Sequence, residues 1–93
     1  MNGELTHHAR ARLQQRGIRR EVLDHLLAYG SERHDHRGGV IVHMDKAARR
    51  RVAAAGDAAA KAALARLRRT YAVVRGDGGI VTVGHRYRRL PSN

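Results

Sequence analysis

The stretch that most constrains the fold is Tyr71–Tyr87, YAVVRGDGGIVTVGHRY. Gly76-Asp77-Gly78-Gly79 gathers residues that tolerate positive φ, which tight hairpin turns require. On either side lie Ala72-Val73-Val74 and Ile80-Val81-Thr82-Val83, β-branched runs suited to a pleated surface. The sequence therefore predicts a β-hairpin. Apolar residues at successive positions predict cover on both faces and a central place in a sheet. Period two groups Val81, Val83, His85 and Tyr87 on one face, with Ile80, Thr82 and Arg86 on the other. Such a strand starts in the core and runs out into basic territory.

Upstream, Thr6 is placed as an N-cap, and His7–Arg16 carries a helical pattern with Ala9 and Leu13 as its apolar stripe. Gly17 fits the left-handed position after a helix, with Ile18 set to touch Leu13. Arg20–Tyr29 reads as a second helix with Val22, Leu23, Leu26 and Leu27 buried, and Gly30 is its stop signal. The pair is compatible with a helix-turn-helix or with a helical hairpin lying on a sheet. Ser31–Met44 reads as another hairpin: a polar first strand that belongs at a sheet edge, a Gly38-Gly39 turn, then Val40–Met44. Asp45 can cap a helix over Lys46–Ala55, and Asp57 can cap a second over Ala58–Thr70 after a break at Gly56. The order α-α-β-β-α-β-β predicts a small α+β domain, a four-stranded antiparallel sheet packed against helices. It spans residues 1–93 as one unit, with 1–5 and 90–93 expected to fray.

Composition bounds the function. Leu, Val and Ile together number 19, and there is no Phe or Trp. A core this thin would gain from a homodimer or a protein partner. Without cysteine there is no disulfide framework and no thiolate metal site. The amino-terminal residues lack the apolar segment of a signal peptide, and no apolar run could span a bilayer, which fits a cytoplasmic protein without a membrane partner. Against 8 acids stand 19 Lys and Arg, all arginine but Lys46 and Lys61, for a net charge of +11. Guanidinium groups suit forked contacts with phosphate. A GC-rich coding bias explains Arg in place of Lys but not the shortage of acids, so the charge points to a polyanion, nucleic acid or an acidic protein.

Two constellations could carry chemistry. On the first helix His8, Arg12 and Gln15 or Arg16 share a face, with Arg10 and Arg16 adding charge. At the end of the last strand stands His85-Arg86-Tyr87-Arg88-Arg89. Imidazole can move a proton while guanidinium stabilises charge on a phosphodiester, and a tyrosine can orient or stack on a base. Each set also reads as plain surface: a solvated basic helix face in one case, a strand end capping the core in the other. Arg49, Arg50 and Arg66 on the alanine-rich helices could track a phosphate backbone, as could Arg88 and Arg89 in the tail. His34-Asp35-His36 with His43 has some metal-ligand character, but a polar hairpin accounts for it; no metal or cofactor is expected.

With both ends in view, the chain resembles a family of short bacterial proteins of unknown function. The resemblance rests on His8-Ala-Arg10-Ala-Arg12-Leu-Gln-Gln15-Arg16-Gly17-Ile18 and on Tyr71–Tyr87. Such proteins are similar in fold to RelE-like toxins and, more distantly, to metal-independent ribonucleases. What the resemblance implies is a helix on an antiparallel sheet, with functional positions at His8, Arg12, Thr82, His85 and Tyr87. It implies an RNA-directed module, with RNA favoured over DNA. The candidate reaction is cleavage by 2′-hydroxyl attack, with His8 and His85 as the proton-transfer pair and Arg12 and Arg86 as the clamp. The long Ala/Arg helix between the hairpins departs from the RelE-like order. Non-catalytic RNA or DNA binding, or docking of an acidic protein partner, are the alternatives the residues leave open.

Overall fold

The structure, a computed structural model, describes residues 5–85. Thr6 opens the first helix, α1 (His7–Gln15), by accepting the Ala9 N–H at 3.1 Å. The helix ends in the turn its sequence predicts. Gly17 takes φ 64, its N–H meets the Gln14 carbonyl at 3.3 Å, and the Ile18 N–H meets the Leu13 carbonyl at 2.9 Å. This two-bond stop satisfies carbonyls that a helix end would otherwise orphan, and it buries Leu13 and Ile18.

The second helix, α2 (Arg20–Tyr29), buries Val22, Leu23 and Leu26. Gly30 ends it in an extended conformation, φ −64 and ψ 152. Its glycine requirement is therefore steric rather than conformational. A Cβ there would sit 2.6 Å from the Leu26 carbonyl oxygen and 2.6 Å from Val42 Cγ1.

Two strands follow, β1 (Ser31–His34) and β2 (Gly39–His43). Their turn lies over residues 35–38, upstream of the predicted Gly38-Gly39, and Gly39 pairs with Arg75 in the sheet. Asp35 draws the turn to itself: one carboxylate oxygen accepts the Arg37 N–H at 2.8 Å and the Gly39 N–H at 2.9 Å. Asp45 caps α3 (Lys46–Ala55), and Asp57 caps α4 (Ala58–Ala62). The predicted helix to Thr70 is interrupted at Ala63, giving a separate short α5 (Leu64–Leu67). Thr70 belongs instead to β3 (Thr70–Arg75). Its hydroxyl donates to the Arg66 carbonyl at 2.8 Å, closing the helix end as the β-branched residue enters the sheet.

With β4 (Ile80–His85) the sheet is antiparallel, in the order β1-β2-β3-β4. The polar first strand lies at an edge, as its composition predicts. The last hairpin is not central: β3 is an inner strand, and β4 is the other edge. The N-terminal segment joins that edge, with Leu5 bridging Ile80 and the Thr6 N–H donating to the Ile80 carbonyl at 3.0 Å.

A bulge changes which residues of β4 face the core. Val74 pairs with Ile80 and Val73 with Thr82, leaving Val81 as the extra residue. Ile80 and Val83 consequently lie on one face and are both buried, against the period-two grouping. The core joins this face, through Val42, Ala72, Ile80 and Val83, to the helices. The opposite face carries the cross-strand row Ile41, Val73 and Thr82, none of it part of that core. The described helices thus cover one face of the sheet, where two were predicted. A β-branched residue suits a half-exposed pleat as well as a buried one, so the apolar run alone misleads. Among the described residues no helix is long and apolar enough to cross a membrane.

Candidate functional site

Helix α1 packs on β4 and runs in the same direction, with Thr6 beside Ile80 and Arg16 beside His85. His85 Nε2 lies 2.8 Å from the Arg16 carbonyl oxygen. A carbonyl only accepts, so the ring must present its N–H at Nε2. The helix stop at Gly17 and the end of β4 therefore meet, as a joint between the two halves of the chain.

Beside that joint opens a hollow of about 350 Å³. Ile18 and Val22 are its apolar lining residues; Arg19 reaches it from the turn before α2, and Arg66 and Arg69 from α5 and the turn that follows. Thr70 and His85 complete the wall. Local rules place each of these. Burial of Ile18 fixes the turn so that the next residue, Arg19, stands exposed at the rim. Arg66 and Arg69 are three apart, neighbours on a helical surface. Thr70 and His85 are cross-strand partners, so they project to the same side of the sheet.

Among the described residues no carboxylate lines this hollow. The chain has 8 acids, and most of the described ones are engaged elsewhere. Asp24 pairs with Arg20 at 3.2 Å, and Asp77 lies 3.6 Å from Arg75. The Arg37 and Gly39 N–H groups hold Asp35 below the usual carboxylate range. The Ala60 N–H and then the Tyr29 hydroxyl do the same for Asp57. At Asp45 partial burial pushes upward, but the Ser31 hydroxyl and the Ala48 N–H outweigh it and the carboxyl is lowered. These acids serve caps and turns, and the cationic charge around the hollow is left uncompensated on its lining.

The predicted residues divide. His8 lies exposed in the first turn of α1, where its Nε2 accepts from Arg12 Nε at 3.4 Å, a long and exposed contact. His8 and Arg16 are eight residues apart, about 12 Å along a helix. The fold brings Arg16 to His85 and leaves His8 at the opposite end of α1. Arg10 is exposed, and Arg49 and Arg50 lie on α3; none of the three lines the hollow, whereas Arg66 does. Arg86, Tyr87, Arg88 and Arg89 lie outside the described residues. Thr82 sits on the sheet face away from the helices.

The neighbouring Arg51 has a structural role: Nη2 donates to Ser31 Oγ at 2.8 Å and Nε to the Tyr29 carbonyl at 3.0 Å. His34 ends β1, while His36 takes φ 64 in the turn. His43 pairs with Ser31 rather than His34. Among the described residues no group of three metal-ligating side chains forms. Sequence reasoning did not single out Arg19 or Thr70 as site residues, and it placed Arg69 only within an Arg66, Arg68 and Arg69 cluster, part of which could track phosphate. The available signals were Arg19 just past a left-handed helix stop and the three-residue spacing of Arg66 and Arg69.

No family model, curated protein or solved structure matches the chain.

Proposed function

We propose that the protein is a basic nucleic-acid-binding module that takes phosphate into the Arg19–Arg66–Arg69 hollow. The resemblance to RelE-like toxins favours RNA over DNA. The observation that carries the reading is that three arginines, and no carboxylate among the described residues, line one concavity. Several forked N–H donors gathered at one place bind phosphate oxygens more strongly than scattered surface cations.

Binding is favoured over cleavage by the same geometry. Attack by a 2′-hydroxyl uses a base and an acid within reach of one phosphodiester. The hollow offers one imidazole, and its Nε2 proton is directed at the Arg16 carbonyl. The ribonuclease reading would need a second proton-transfer group there, and His8 lies a helix length away.

Titration of a short single-stranded RNA at several salt concentrations tests the proposal. The logarithm of the association constant should fall linearly with the logarithm of salt, with a slope of about −0.7 per phosphate neutralised. Arg66→Ala and Arg69→Ala should each weaken binding and flatten that slope by about one contact's worth. Salt-insensitive or undetectable RNA affinity, with an acidic protein co-purifying instead, would replace this reading with the acidic-partner one.

A further inference from the structure

We infer that the hollow receives the terminal phosphomonoester of an RNA strand rather than an internal phosphodiester; this rests on the nucleic-acid-binding reading above. Its size is the first reason. At about 350 Å³ it lies near the lower bound of ligand cavities, about 300–1,000 Å³. That is room for about one nucleotide unit rather than for several in a row.

Charge is the second reason. An internal phosphodiester carries one negative charge, while a phosphomonoester carries about −1.5 to −2 at neutral pH and has three strong acceptor oxygens. Arg19, Arg66 and Arg69 supply three cations without a carboxylate among the described lining residues, more than a diester requires. The third reason is the mixed lining. Ile18 and Val22 are lining residues beside the arginines, so a sugar or base has apolar contact available as well as charge. Thr70 contributes little as a donor, because its hydroxyl is directed to the Arg66 carbonyl.

The test compares one RNA sequence carrying a 5′-phosphate, a 3′-phosphate or hydroxyls at both ends, together with AMP and adenosine as single-unit probes. Binding to the full chain is measured at fixed salt. At least one phosphorylated end should bind about tenfold tighter than the all-hydroxyl strand, and AMP should bind measurably where adenosine does not. Arg69→Ala should abolish the end preference, and Arg69→Lys, which keeps the charge but loses the fork, should abolish most of it. Arg50→Ala should lower affinity for all three strands alike and leave their ratio unchanged. Equal affinity for the three strands would overturn end recognition and leave the binding module standing. Failure of every RNA to bind while AMP still binds in an Arg69-dependent way would overturn the RNA-binding reading instead, and with it an RNA end as the ligand.

Discussion

A single methyl group added at position 30 would meet the Leu26 carbonyl oxygen and Val42 Cγ1, each 2.6 Å from the ideal Cβ. The first of these is backbone and cannot step aside. Gly30→Ala should therefore destabilise the fold by about 1–3 kcal/mol, the usual cost of overpacking. Urea unfolding would show a lower midpoint with an unchanged m-value. Gly84 is a companion case, since the Tyr71 ring lies across it and a Cβ would come within 2.9 Å of Tyr71 Cε1. At this scale some positions were legible and others were not. Thr6, Asp45 and Asp57 are recognisable caps because a cap depends on three or four consecutive residues. Gly30 was located correctly, but its reason lies in Val42, twelve residues away in sequence. Arg51 reads as one of three equivalent arginines until Ser31 and Tyr29 are seen beside it.

Between elements, the joint of α1 with β4 carries most of the functional argument. Its geometry depends on Gly17, whose φ of 64 suits glycine and costs other residues about 1–2 kcal/mol. Gly17→Ala meets no steric obstacle, so its expected cost is that backbone term alone, read as a lower melting temperature. Because the Arg16 carbonyl receives His85 and Arg19 stands just beyond the turn, the same variant should bind RNA more weakly than its stability loss alone explains. Parallel titrations at a temperature where both proteins are folded would show this. The sequence paired His8 with His85; α1 does pack on β4, but it is Arg16 that reaches His85. Which end of α1 faces His85 was not legible. That depends on the direction of the helix along the strand, and no residue spacing reveals it. The bulge at Val81 was hidden for a related reason: it is a property of two strands in register, not of either run of residues.

For the whole molecule, the distribution of acids predicts how stability responds to pH. Asp35, Asp45 and Asp57 all have lowered pKa values in the fold. In the unfolded chain they return to about 3.9, so there the unfolded state binds more protons as pH falls. The stability they contribute is present above about pH 4 and is lost as pH drops through their lower folded values. Urea midpoints should accordingly decline below about pH 4. Substituting Asp35 and Asp57 with asparagine should flatten that decline. Tyr29 acts at the other extreme: its hydrogen bond to Asp57, then burial, raise its pKa, so its contribution holds below about pH 10 and fades as pH climbs through the folded value. A further whole-molecule consequence comes from the two outer strands. One margin is four residues long and bears Glu32, Arg33 and His34; the other is kinked by its unpaired valine and met by the backbone of Thr6. Neither offers a straight, neutral row of amides on which another chain could template. A protein with so slight an interior is thus expected to resist fibril growth through its sheet edges, to be read as an absence of seeded thioflavin signal in a concentrated solution.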